Sequence, residues 1–116
     1  MRTREMLAAA RRDGKSAGIA AASWCFDGNT TDETYRYFLE GYEAGDPAVL
    51  DRFNVPNLSG EWADSPTPAS LADDYGIEAD DERLDSVCTE WENAASDAFW
   101  AELQRVAKYH VGAVAA

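Results

Sequence analysis

Positive charge is scarce in this chain of 116 residues, which has ten lysines and arginines against 22 aspartates and glutamates. The resulting net charge of −12 excludes an overall basic surface of the kind that binds nucleic acid directly. Long hydrophobic runs are also missing, because no stretch approaches the roughly 18 to 20 apolar residues that a membrane span needs. With 46% apolar residues, 4 Trp, 5 Tyr and 4 Phe, the chain can still build one hydrophobic core. We therefore predict a single domain over residues 1–116.

Cysteine and histidine are nearly absent, with two and one residues respectively. Cys25 and Cys88 form no CxxC pair, which excludes the usual zinc motifs, and their apolar surroundings favour free thiols over a disulfide. Whether the two thiols lie near each other is left open. His110 has no recognisable nucleophile motif beside it, so a packed or helix-end histidine is favoured over a catalytic base. Since the GxSxG, P-loop and GxGxxG motifs are also missing, we predict a protein that is not an enzyme and takes no cofactor.

Two acidic segments are candidate metal sites. Oxygen-bearing residues alternate over 27–33 as in a calcium loop, but the sixth position holds Asp32 instead of glycine and the twelfth holds Phe38 instead of glutamate. Helix capping explains this segment better, since Thr30 and Glu33 have the spacing of a capping box. The acidic residues 80–82 are typical of a solvated helix N-terminus rather than a cation site. No metal site is therefore predicted.

Helix signals occupy most of the chain. The alanine-rich segment from about Thr3 to Phe26 predicts one bent helix or two short ones, because Gly14 and Gly18 lower helix propensity. The capping box at Thr30 opens the next helix. Two shorter helices follow from an N-cap residue directly before a proline. Gly45 ends the helix that opens at Thr30. The first short helix begins at Asp46 with Pro47, and the second begins at Thr67 with Pro68 and ends at Gly76.

The C-terminal segment from about Asp80 to Val111 has no glycine or proline and predicts a long helix. Its apolar residues recur at helical spacing as far as Ala98 and then drift from Phe99 onward, so that its two halves face different neighbours or the helix bends. At ~1.5 Å per residue it would be roughly 48 Å long, which is longer than one globule of this size needs. One end therefore projects or packs against a second copy. Without any sustained alternation of period two, the fold class is all-α, a compact bundle of four to five helices.

Charge is unevenly distributed along the sequence. Residues 1–15, the basic head, carry five bases and two acids for a net charge of +3. Residues 61–102, the acidic body, carry thirteen acids and one base for a net charge of −12. On a helical wheel Asp81, Asp85 and Glu92 lie within about 40° of one another, and a second line contains Glu90 and Asp97. The predicted partner-binding residues are Asp64, Asp73, Asp74, Glu78, Asp80, Asp81, Glu82, Asp85, Glu90, Glu92 and Asp97.

The acidic body permits two interpretations. Duplex DNA carries a negative charge every ~1.7 Å along its axis, so a dense carboxylate surface indicates a nucleic-acid mimic that blocks the DNA- or RNA-binding site of a basic partner, such as a host defence or DNA-processing protein. Trp62 and Trp100 are candidate aromatic anchors for such an interface. The alternative is a homodimeric structural or adaptor protein that uses the long helix, with the acidic surface serving only solubility and the basic head docking onto the neighbour. Because the sequence has no recognisable export or membrane signal, we expect the protein in the cytoplasm.

Several segments resemble a group of small acidic proteins of actinobacterial phages and plasmids. The resemblance covers roughly residues 15 to 110 and is carried by the stretches AAASW at 20–24, DGNT at 27–30, GYEAGDP at 41–47 and LSGEWADSPTP at 58–68. No activity or catalytic residue follows from it. It implies a mobile genetic element, a setting where small acidic proteins often antagonise host nucleases or other defence proteins, and so it favours the mimic over the solubility interpretation.

Overall fold

Five helices make up the structure, a computed structural model that describes residues 2–58 and 66–115. They are α1 (Thr3–Ala22), α2 (Asp32–Ala44), α3 (Pro47–Leu50), α4 (Pro68–Tyr75) and α5 (Leu84–Ala115). No strand occurs within the described ranges. The prediction of an all-α bundle with a long C-terminal helix is confirmed.

The helix ends differ from the predictions at three places. α1 is one helix that ends at Ala22 rather than Phe26. α2 is capped by Thr31, whose hydroxyl accepts the Thr34 amide, so the capping box predicted at Thr30 is wrong by one residue. The Thr30 hydroxyl instead accepts the backbone N–H of Asp27 in the preceding turn. The third difference is that α5 begins at Leu84 instead of about residue 80.

The other helix signals behave as expected. Asp46 accepts the Ala48 amide ahead of Pro47, and Thr67 forms a full capping box with Ser70 ahead of Pro68. Gly45 and Gly76 end α2 and α4 with φ of 67° and 69°, the left-handed region that glycine adopts without steric cost.

α1 and α5 are parallel and pack closely against each other. An added Cβ on Gly14 would overlap the backbone carbonyl of Trp91, and one on Gly18 would overlap the carbonyl of Ala95. Both residue numbers rise together, which fixes the parallel direction and a constant offset of 77 between residues at the same level. The two glycines, four residues apart, allow the helix backbones to approach more closely than any side chain would permit.

The buried residues form two clusters along this helix pair. The first cluster holds α4 against the N-terminal halves of α1 and α5, and it contains Met6, Ala9, Ala10, Leu58, Leu71, Tyr75, Val87, Trp91 and Ala95. The second holds α2 and α3 against the C-terminal halves, and it contains Ala21, Ala22, Tyr35, Phe38, Val49, Phe99, Leu103 and Ala107. The buried side of α5 therefore meets different neighbours in its two halves, as the drifting apolar pattern predicted.

The molecule is elongated, with extents of 51 × 25 × 25 Å and a radius of gyration of 16.4 Å. A compact globule of this length would have a radius of gyration of about 13 Å. The 32 residues of α5 account for the difference, because at ~1.5 Å per residue they run the full length of the molecule.

Candidate partner-binding surface

Six exposed carboxylates project from α4, from the segment after it and from the first turn of α5. α4 buries Leu71 and Tyr75 in the first core cluster, so its two aspartates face solvent. The segment that follows turns at residues 78–84 through backbone hydrogen bonds and presents three more acids. We call this set the acidic end, and its members are Asp73, Asp74, Glu78, Asp80, Glu82 and Asp85.

A buried phenol fixes the position of α4. The Tyr75 hydroxyl donates a hydrogen bond of 2.9 Å to the Asp13 carboxylate of α1. Burial and the neighbouring Asp13 and Asp74 charges raise the pKa of Tyr75 well above its usual value. Because the phenol stays protonated, it remains a donor to Asp13 and links α4 to α1.

Asp81 belongs to the turn that precedes α5 rather than to the acidic end. Its carboxylate accepts the backbone N–H of Arg83 at 2.9 Å and the Arg83 guanidinium at 3.0 and 2.8 Å. These hydrogen bonds lower the pKa of Asp81 to about 2. Since this turn takes the place of the first helical turn, Asp81 does not share the face of α5 on which the helical wheel placed it.

Glu92 is also used within the chain. Its carboxylate accepts the backbone N–H of Leu58 at 3.3 Å and so ties the segment before residue 59 to α5. The partly buried Cys88 lies one turn earlier, and burial together with the charges of Glu92 and Asp85 raises the pKa of its thiol. Glu92 therefore supports the fold at the place where we expected a partner contact.

Glu90 and Asp97 lie on a different side of α5, as the helical wheel predicted. They line a groove of about 440 Å³ between α1 and α5, which faces Arg11 and Lys15 of α1. The Arg11 Nε atom is 3.7 Å from Glu90 Oε2, and both side chains are about half exposed. These two acids consequently have positive charge beside them.

The parallel pairing changes the meaning of the charge asymmetry along the sequence. With an offset of 77 residues, the basic head at residues 2–15 runs beside α5 and the segment before it. The basic head therefore lies beside residues 79–92 of the acidic body rather than at an opposite pole. Asp64 and Trp62 lie outside the described residues.

The exposed tryptophan among the described residues is not the one that the sequence suggested as an anchor. Trp100 is half-buried and packs edge-on against Phe99 and Phe53 at centroid distances of 5.0 and 5.9 Å, so it is not an exposed anchor. Trp24 is instead 84% exposed, in the turn after α1. The exposure of Trp24 was not predicted because it stands inside an apolar run, and hydrophobicity alone does not show where a helix ends.

The single histidine and the two cysteines take structural positions. His110 stacks on the buried Tyr35 ring with centroids 4.4 Å apart and planes 4° apart. Cys25 and Cys88 are free thiols that pack on different core clusters. Within residues 2–58 and 66–115, no three His, Cys, Asp or Glu side chains are grouped to hold a metal ion.

Comparisons with known proteins add no relative from which a role could be transferred. No protein-family model, no curated protein and no solved structure matches this chain. In the part of the chain that the structure describes, no helix combines the length and hydrophobicity required to cross a bilayer.

Proposed function

We propose that this protein is a non-enzymatic, cytoplasmic interaction protein that imitates nucleic acid and occupies the DNA- or RNA-binding site of a basic partner. The resemblance to small acidic phage and plasmid proteins makes a host defence or DNA-processing protein the expected class of partner. The proposal rests on one observation above all: six exposed carboxylates lie between residues 73 and 85.

The charge balance at the acidic end supports this proposal. Residues 73–85 contain seven acids and a single base, Arg83. That base is bound by Asp81 through its guanidinium and its backbone, so the pair is locally neutral. The other six carboxylates form a field of one sign, which attracts a basic cleft and accelerates encounter with it.

The mechanism is electrostatic competition. A cleft that neutralises phosphates releases condensed counterions when it binds DNA, and this makes binding sensitive to salt. The carboxylates of α4, of the turn after it and of α5 offer the same cleft several negative charges. They carry no nucleobases, so this contact does not depend on a nucleotide sequence. Since the attraction is shared over many contacts, single substitutions weaken binding little and clustered substitutions weaken it strongly.

The test compares two triple variants that remove the same amount of charge. D73N/D74N/D80N neutralises half of the acidic end, and E40Q/E43Q/D51N neutralises three exposed acids of α2 and the α3 C-cap. Each protein is immobilised, exposed to a nuclease-treated bacterial lysate and eluted with a salt gradient. We expect a nucleic-acid-binding protein to be retained by wild type and by the α2–α3 variant, and to be lost from the acidic-end variant.

A second measurement separates mimicry from nonspecific adsorption. The captured protein is bound to a fluorescent DNA or RNA duplex, and anisotropy is followed as the acidic protein is added. Displacement of the duplex by wild type, weakened by the acidic-end substitutions, is the expected result. If the duplex stays bound at saturating acidic protein, or if both triple variants displace it equally well, the proposal fails.

A further inference from the structure

The groove between α1 and α5 is a second surface with a different charge pattern. Ala94, Ala98 and Ala101 line it, with a basic rim on α1 and an acidic rim on α5. Elsewhere on the same two helices, Asp13 binds α4 and Glu92 binds Leu58. The groove therefore lies on a different side of the helix pair from these two contacts.

The two rims overlap in height along the helix pair. The offset of 77 residues places Arg11 level with residue 88 and Lys15 level with residue 92 of α5. Glu90 lies between these levels, and Asp97 lies little more than one helical turn above Lys15. A row of two cations and a row of two anions thus run side by side, separated by small side chains.

We propose that this face binds a second copy of the chain, with the two-fold axis parallel to the helices, so that α1 of each copy packs against α5 of the other. In this arrangement Arg11 of one copy faces Glu90 of its partner at nearly the same height, and Asp97 of the partner lies little more than one helical turn above Lys15. The alanines allow the four helices to approach closely, as small residues do between α1 and α5 within one chain. Isologous pairing of this kind is the commonest way in which identical chains associate.

The charges also select the orientation. A two-fold axis across the helices would place α1 against α1 and α5 against α5, bringing cations against cations and anions against anions. Like charges in direct contact are strongly unfavourable. The parallel arrangement places the two acidic ends at the same end of the pair. At physiological salt the Debye length is about 8 Å, so screening weakens the repulsion between these ends more than it weakens the direct contacts across the groove.

Charge reversal on the two rims tests the proposal without altering the core. R11E/K15E makes both rims negative, and E90K/D97K makes both rims positive. Light scattering is measured at physiological salt from low micromolar to millimolar protein. We expect the apparent mass of wild type to rise from 12.7 kDa to twice that value as the concentration increases. The dissociation constant of the dimer should be roughly tenfold higher or more in each reversal variant.

Mixing the two reversal variants gives the decisive measurement. In a heterodimer every cation again faces an anion, so an equimolar mixture should recover the association of wild type. The matched control R36E/R52E reverses two exposed arginines of α2 and the segment after α3, and it should associate as wild type does apart from the added net charge. Thermal unfolding checks that all variants are folded. The Arg11–Glu90 pair within one chain is exposed, so its loss should change the stability of the monomer little.

Three outcomes would overturn the proposal. They are a wild type that stays monomeric at millimolar concentration, reversal variants that still self-associate, and a mixture that does not recover association. This inference does not depend on the proposed function, because the D73N/D74N/D80N variant leaves the groove intact and should dimerise normally. Loss of partner capture and loss of self-association can therefore be told apart.

Discussion

Two small residues set the distance between the central helices. Gly14 and Gly18 lower the helix propensity of α1, yet each faces a backbone carbonyl of α5 where a side chain cannot fit. Backbone atoms cannot move aside as a flexible side chain can. The cost in propensity is thus offset by the close approach of α1 and α5, which organises both core clusters.

Replacing either glycine by alanine should destabilise the protein. We expect Gly14→Ala and Gly18→Ala each to lower the free energy of unfolding by about 1–3 kcal/mol, as overpacking usually does. Gly112→Ala in α5 is the matched control, because nothing lies within 4 Å of an added Cβ there, and it should stabilise by up to ~1 kcal/mol. Urea unfolding measures all three, and equal stabilities for Gly18→Ala and Gly112→Ala would contradict this account of the helix pair.

The turn before α5 should have a distinct acid titration. The Arg83 guanidinium and N–H hold the pKa of Asp81 at about 2, below its ordinary 3.8. The folded state therefore binds fewer protons than the unfolded state between these values. The stability from this pair is complete above about pH 4 and is lost as the pH falls through 2.

Substitution of Arg83 tests the cause of that shift. In Arg83→Gln the pKa of Asp81 should rise above 2 but stay below the ordinary aspartate value of about 3.9, because the backbone N–H of residue 83 remains a donor; the carbon-13 chemical shift of the carboxyl follows this titration. Arg83→Lys should give an intermediate midpoint, because an ammonium keeps the charge but not the two-nitrogen contact. An Asp81 midpoint that stays near 2 in Arg83→Gln would show that another group sets this pKa.

At the scale of elements, α4 is short and depends on its ends and its contacts. Its eight residues are too few to form a stable helix alone. The Thr67–Ser70 capping box closes its start, and the Tyr75–Asp13 hydrogen bond fixes its last turn to α1. Because α4 carries two aspartates of the acidic end, these contacts also position the proposed binding surface.

Removal of the N-cap should loosen α4. Thr67→Ala deprives the Ser70 amide of its acceptor and should cost about 1 kcal/mol. Thr89→Ala, at an exposed interior position of α5, is the control and should be neutral or slightly stabilising, since alanine has the higher helix propensity. Amide exchange in residues 68–75 should accelerate in Thr67→Ala alone. Unchanged exchange would mean that the core contacts of Leu71 and Tyr75 suffice to hold the helix.

The elements were predictable where local chemistry decides them. Caps at Asp46 and Thr67 and stops at Gly45 and Gly76 follow from single side chains and φ preferences, and the structure has all four. The start of α5 was missed because Asp81 binds Arg83, a competing local contact that propensity does not register. The parallel pairing of α1 with α5 depends on packing between distant segments, although the four-residue spacing of Gly14 and Gly18 is a signal that could have indicated it.

At the scale of the whole molecule, the folded chain separates two charge environments. Bases of α1 face Glu90 and Asp97 across the groove, and Arg36 and Arg52 are interspersed with the acids of α2 and of the residues that flank α3. The sequence from 73 to 85, which contains the acidic end, has a single base, Arg83, and Asp81 binds it. Repulsion within the folded state is therefore concentrated at residues 73–85, and this location could not be read from the total charge.

This concentration predicts how salt affects stability. The Debye length falls from about 30 Å at 0.01 M to about 10 Å at 0.1 M ionic strength, so added sodium chloride should screen the repulsion and raise Tm by several degrees. D73N/D74N/D80N should have a higher Tm at low salt and a smaller rise, because it relieves the densest part of the field. E40Q/E43Q/D51N removes equal charge from a region with nearby arginines and should keep most of the salt response of wild type. Equal salt responses in the two variants would mean that net charge, and not its clustering at the acidic end, governs stability, and the same clustering is what the proposed contact with a basic cleft requires.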